Sequence, residues 1–115
     1  MELQAYIDNT AAQMRKGILE FCVLLAISAS GEAYASDILN RLKEFNLIIL
    51  EGTLYPILSR LKEAELVSYS WAESNEGPPR KYYRLTEKGQ QAAERMKENF
   101  RTLNDSINEL INSHE

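Results

Sequence analysis

The sequence contains one cysteine, one histidine and one tryptophan in 115 residues, and each shortage removes a class of chemistry. A lone thiol, Cys22, excludes an intrachain disulfide. Its place inside the apolar run Phe21 to Ile27 reads as a small buried hydrophobe rather than a nucleophile or metal ligand. The only histidine, His114, lies at the C-terminal end, so a catalytic triad or a histidine-ligated metal lacks its central part. No glycine pattern suited to cradling phosphate occurs, and no cysteine or histidine spacing fits zinc. The run Phe21 to Ile27 is the longest apolar stretch and is too short to span a bilayer. No basic-then-apolar leader opens the chain. The expectation is a cytoplasmic protein that is not an enzyme and holds no metal or cofactor.

Hydrophobic residues at 44% and charged residues at 26% describe one small domain with a modest core and no disordered tail. A net charge of −4 weighs mildly against a nucleic-acid partner if the charge is averaged over the chain. The average hides an uneven distribution. From Gly52 to Leu85 the bases Arg60, Lys62, Arg80, Lys81 and Arg84 outnumber the acids Glu63, Glu65, Glu73 and Glu76. From Glu87 to Glu115 six acids face four bases. Only the potential of the facing surface matters for a polyanionic partner.

The stretch Glu51 to Leu61 has apolar residues at Leu54, Ile57, Leu58 and Leu61, the spacing of one buried helical face. Thr53, Tyr55, Pro56, Ser59 and Arg60 are then left pointing outward. A hydroxyl, a phenol, a proline ring and a guanidinium within two turns supply hydrogen bonds to phosphates, contact for thymine methyls and a charge for guanine. An amphipathic helix with an ordinary solvated face has the same pattern, and the stretch alone leaves both readings open.

Its neighbours add context. Leu3, Tyr6 and Ile7 fit one helical turn that docks on something else, and the pattern assigns no more. From Thr10 a helix is clearer, with Met14, Ile18, Phe21, Cys22 and Leu25 on one face and Leu19, Val23 and Ala26 widening it. Arg15 and Lys16 near its start are at the unfavourable end of the helix dipole, which leaves them either solvated or facing an external anion. Ser28 to Glu32 reads as a turn, with Gly31 free to take a positive φ. A second helix from Ala33 to Phe45 would bury Tyr34, Ile38, Leu42 and Phe45. Two short helices joined by the connector Asn46 to Leu50 make a helix-turn-helix.

Beyond about Glu65 the period falls to two. Leu66 to Trp71 and Arg80 to Leu85 read as strands around the loop Glu73 to Pro79, a β-hairpin that places Arg80 and Lys81 beside a phosphate backbone. Because neighbouring strand residues face opposite ways, one of Tyr82 and Tyr83 belongs to the core. Trp71 is assigned to packing ahead of ligand stacking. Thr86 and Glu87 open a last helix to Asn112 as cap and first-turn acid, with Gly89 a small cost to it.

That helix repeats apolar residues at Ala93, Met96, Phe100, Leu103, Ile107 and Leu110, in steps of three and four. A sustained seam of this kind takes a partner helix. A homodimer follows, unless the seam packs on the chain's own first helix or is divided between the two. A two-fold axis would present two reading helices to a palindromic site. The fold expected is mainly α with a small β-hairpin, a winged helix-turn-helix over residues 1–85 and a long C-terminal dimerisation helix over residues 86–115.

Met14-Arg15-Lys16-Gly17, Gly52-Thr53-Leu54-Tyr55-Pro56 with Arg60-Leu61, Trp71, Gly77-Pro78-Pro79-Arg80-Lys81-Tyr82-Tyr83 and Leu85-Thr86-Glu87-Lys88-Gly89 occur in that order. Together they resemble the PadR family of transcriptional regulators, in the short subgroup with a single C-terminal helix, from about residue 12 to 111. The resemblance implies a homodimer built through the first and last helices that represses transcription from an inverted-repeat DNA operator. It also implies release by a small, often aromatic, molecule or a stress signal. The DNA-binding set becomes Lys16, Gly52, Thr53, Tyr55, Pro56, Ser59, Arg60, Arg80 and Lys81, with Phe100 and Met96 as a candidate effector cleft. The chain departs from the family pattern in three places. Tyr34-Ala35-Ser36-Asp37-Ile38 replaces Tyr-Gly-Tyr-Glu-Ile, and Leu50 stands where a small polar cap is common. Phe100 occupies the place of a tryptophan that sandwiches flat drugs in some relatives. The competing class is a winged-helix module that meets another protein rather than DNA.

Overall fold

Leu24, Ile27, Ile38, Leu54, Leu58 and Leu61 exclude water completely or nearly so, and three helices converge on them. The computed structural model describes residues 2–73 and 77–113; His114 and the loop positions 74–76 lie outside them. The elements are α1 (Leu3–Ser30), α2 (Ala35–Glu44), α3 (Glu51–Glu63), β1 (Val67–Ala72), β2 (Arg80–Leu85) and α4 (Glu87–Asn112). A trihelical core flanked by a hairpin and followed by one long helix is the winged helix-turn-helix arrangement expected from the sequence. Among the described residues no helix is long and apolar enough to cross a membrane.

The first helix differs from expectation at its beginning. It starts at Leu3, where the Glu2 carboxylate accepts the Gln4 and Ala5 N–H groups. Capping satisfies donors that would otherwise be orphaned, and it lets a weakly patterned segment join the helix behind it. Arg15 and Lys16 are therefore roughly three turns inside the helix, and the dipole argument for them is void. Met14, expected on the buried face, is 70% exposed. The helix becomes buried only from about Cys22 onward, and burial pushes the Cys22 thiol pKa up. It ends at Gly31, whose φ of 77° takes the left-handed region as its N–H bonds back to Ile27 O and Ser28 O.

The second helix begins at Ala35 rather than Ala33, because Ala33 exchanges two backbone hydrogen bonds with Tyr83 and adds a short third rung to the hairpin. The altered Tyr34 to Ile38 sequence is accommodated by Asp37, which accepts the Tyr34 N–H at 2.9 Å. Phe45, expected inside, is 62% exposed beneath the Arg41 guanidinium. Leu50 precedes α3 with no side-chain cap, as expected. The Thr53 and Leu54 N–H groups bond to its carbonyl instead.

β1 and β2 pair antiparallel with Val67 opposite Leu85, Tyr69 opposite Tyr83 and Trp71 opposite Lys81. Tyr83 is the core member of its pair. Its pKa is pushed up by burial first and by Tyr55 and Tyr69 next. The hairpin is tied to α4 through Thr86, whose hydroxyl donates to Glu65 O at 2.6 Å and accepts the Gly89 N–H at 3.0 Å. Gly89 is not merely a small cost to helix propensity. A Cβ there would lie 1.9 Å from Leu66 O, so only glycine lets α4 pass the entrance to β1.

The seam of α4 is divided. Ala93 is buried in the chain's own core and so is not free to pair, while Met96 packs against that core and stays partly exposed. Phe100 lies 5.9 Å, centroid to centroid, from Phe21 and is 41% exposed. Leu103, Ile107 and Leu110 are exposed, as are Leu3, Tyr6 and Ile7 near the start of α1. The molecule measures 59 × 34 × 25 Å.

Candidate nucleic-acid interface

The period-2 pattern of the hairpin and the 3.6-residue pattern of α3 bring one face of each together. Leu54, Ile57, Leu58 and Leu61 anchor α3 in the core, so Gly52, Thr53, Tyr55, Pro56, Ser59 and Arg60 are all exposed along its outer side. Pro56 lies inside the helix, in its second turn. A Cβ at Gly52 would meet no neighbour, so nothing inside the chain calls for glycine at that position.

Beside this helix lies an open cleft of about 450 Å³. Glu51 and Tyr55 of α3 form one wall and Tyr34, Ala35 and Ser36 at the start of α2 form another. Trp71, Pro79, Arg80 and Lys81 of the hairpin close the third side. The structure thus joins three segments that sequence reasoning treated separately. Lys16 does not line this cleft and is exposed on α1.

Arg80 and Lys81 are adjacent in sequence but belong to opposite faces of the hairpin. The Arg80 guanidinium lies 5.3 Å from the ring centre of Tyr34, which packs against Tyr82 at 4.3 Å with the rings tilted by 35°. The Lys81 ammonium lies 4.5 Å from the ring of Tyr69 and 5.5 Å from that of Trp71. Arg80 is therefore held by one ring and Lys81 by two, through the attraction of positive charge to a ring face. Trp71 itself is 63% exposed and touches Tyr69 edge-on, which corrects the expectation that it packs inside. A single tryptophan at the end of a strand carries no sequence signal to separate these outcomes.

Arg60 is committed differently. Its Nε donates to Glu20 Oε1 at 2.6 Å, joining α3 to α1 across an exposed ion pair. Lys62, which the sequence reading left outside the site, lies 5.3 Å from the Tyr69 ring. Its one available signal was its place in the basic half of the Gly52 to Leu85 charge count. Among the described residues no group of histidine, cysteine, aspartate and glutamate side chains is placed to hold a metal ion.

Comparison with known proteins agrees with this architecture. The family described as the transcriptional regulator PadR-like family matches residues 23–95. A PadR-like transcription factor from Bacteroides fragilis is 50% identical, covering 89% of this chain and 98% of its own, with a TM-score of 0.74. A PadR family transcriptional regulator from Eggerthella lenta is 27% identical over 94% of each chain, with a TM-score of 0.81. The Bacillus subtilis PadR, solved in complex with operator DNA, shares the fold at 22% identity and a TM-score of 0.63, covering 69% of this chain and 46% of its own. No curated protein matches the chain. With the family match over residues 23–95 and a half-identical relative aligned along nearly its whole length, the chain belongs to the PadR-like family of transcriptional regulators, not to a class of enzymes.

Proposed function

We propose that the protein is a homodimeric repressor that binds double-stranded DNA at an inverted-repeat operator. The observation that carries this reading is the continuity of the exposed α3 face with a cleft whose hairpin wall holds Arg80 and Lys81. Thr53, Tyr55, Pro56 and Ser59 meet base edges or backbone in the major groove, and Arg80 and Lys81 neutralise phosphates. Two features of α3 support close approach. Gly52 has open space outside it, and Leu50 leaves the helix N-terminus without a side-chain cap, as suits a phosphate oxygen. Arg60 contributes through the part of its guanidinium not used by Glu20, while Lys16 on α1 has the weaker claim of this set.

The dimer follows from the apolar faces that the monomer leaves in water. Leu103, Ile107 and Leu110 of α4 and Leu3, Tyr6 and Ile7 of α1 are all exposed. Burying each large aliphatic side chain is worth about 1.5–3 kcal/mol. Residues 1–85 act as the reading unit and residues 86–115 as the pairing helix. A small aromatic effector would be received where Phe100 and Met96 leave the intrachain part of the seam.

The test is binding of the full-length protein to DNA from upstream of its own gene, followed by fluorescence anisotropy over a range of salt. Wild type should bind with a steep salt dependence. The double variant Arg80→Ala, Lys81→Ala should lose affinity for all DNA and flatten the slope by roughly two units per half-site, at about 0.9 per lost phosphate contact. Absence of binding at micromolar dimer in moderate salt would refute the reading in favour of a protein-interaction module.

A further inference from the structure

Tyr69 gathers two basic side chains from different elements. Lys62 comes from the last turn of α3 and Lys81 from the start of β2, and their ammonium groups lie 5.3 Å and 4.5 Å from the centre of the same ring. Trp71, on the same face of β1 two residues further along, adds a second ring 5.5 Å from Lys81. Lys62 and Trp71 are exposed, whereas Tyr69 is half-buried against the Tyr83 ring at 5.9 Å.

Two like charges drawn to one ring repel each other in the free protein, and anions bound beside them lower that repulsion. The ring holds the lysines without neutralising them, unlike a carboxylate, so the positive charge stays available. Lysine is otherwise a flexible point charge that loses rotamer freedom when it binds. Holding the two ammonium groups near a ring fixed in the hairpin lowers that loss.

We propose that Lys62 and Lys81, positioned by Tyr69, form a clamp on the DNA backbone at the junction of α3 and the hairpin, each holding a phosphate of its own. Lys62 makes the contact and Tyr69 is a positioning residue. The clamp rests on the DNA-binding reading above and extends it to the C-terminal end of the reading helix. Because α3 and β1 are joined by Ala64, Glu65 and Leu66 alone, a phosphate held there ties the position of the hairpin on the backbone to the depth of α3 in the groove.

The experiment measures the salt dependence of operator binding by the full-length protein and three variants, each first checked for an unchanged helical circular-dichroism spectrum and melting transition. Lys62→Gln should weaken binding to all sequences alike and flatten the slope by about 0.9 per half-site, the amount for one phosphate contact. Tyr69→Leu, which keeps apolar bulk but removes the ring, should weaken binding with both lysines still present, and Tyr69→Phe should restore wild-type behaviour. A loss of folding alone would lower the active fraction without changing the slope. An unchanged slope for Lys62→Gln in a wild type that binds DNA overturns the clamp and leaves the DNA-binding reading standing. Equal losses in Tyr69→Phe and Tyr69→Leu overturn the positioning role, because the hydroxyl would then be the contact. If wild type itself shows no salt-dependent binding, the DNA-binding reading falls first and the clamp falls with it.

Discussion

Replacing Gly89 with alanine should destabilise the protein even though alanine is the better helix former. In an exposed helix interior the exchange would gain about 1 kcal/mol. At Gly89 the new Cβ would lie 1.9 Å from Leu66 O, 2.9 Å from Leu66 C and 3.3 Å from Leu66 Cα. These are backbone atoms, so no side-chain rotation relieves the overlap. The first turn of α4 must move outward by roughly an ångström or more to restore ordinary contact. That movement strains the Thr86 hydroxyl bonds to Glu65 O and Gly89 N and the Thr86 N–H bond to Leu66 O at 3.0 Å. Overpacking costs about 1–3 kcal/mol and a weakened hydrogen bond about 1 kcal/mol, so the net loss should be about 2 kcal/mol after the propensity gain. Urea unfolding followed by circular dichroism, at one fixed protein concentration because dimerisation contributes to apparent stability, reads this as a lower midpoint. A midpoint equal to or above wild type would refute the argument that α4 is held against β1 by a contact only glycine permits.

The remaining predictions concern the reading face, the pairing helix and the core. Tyr55→Ala should relax sequence preference in a selection from random DNA while leaving the salt slope near wild type; uniform loss across sequences would make Tyr55 a backbone contact instead. Leu103→Glu with Ile107→Glu should raise the dimer dissociation constant by at least about two orders of magnitude, since each change counts twice across a two-fold axis, and sedimentation velocity would show the monomer. The Cys22 thiol should react with maleimide at neutral pH far more slowly than in the urea-unfolded chain. With its folded pKa raised, the unfolded chain ionises first as pH rises past the ordinary thiol value, so Cys22 contributes stability that is lost in alkali. Tyr83 adds a loss of the same sign at higher pH, and urea midpoints at neutral pH and above pH 9 measure the sum.

The sequence by itself determined the order and type of the elements, because each rests on a local period. Leu54, Ile57, Leu58 and Leu61 could share a face only on a helix, and Val67, Tyr69 and Trp71 only on a strand. The seam from Ala93 to Leu110 marked most of the last helix, and the Thr86 cap with Glu87 marked its start. The outward residues of α3 were equally legible, since fixing the buried face fixes its complement. What the tertiary structure decided are the features that depend on long-range approach. The hydrogen bonds from Ala33 to Tyr83 shortened α2, and the approach of Leu66 O turned Gly89 from a weak point into a requirement. Ala93 went to the intrachain core and left Leu103 to Leu110 uncovered, a division that the heptad spacing alone does not contain. The packing of α3 beside the hairpin brought Lys62 to Tyr69, because a period orients residues on their own element but does not say which side chain of another element meets them.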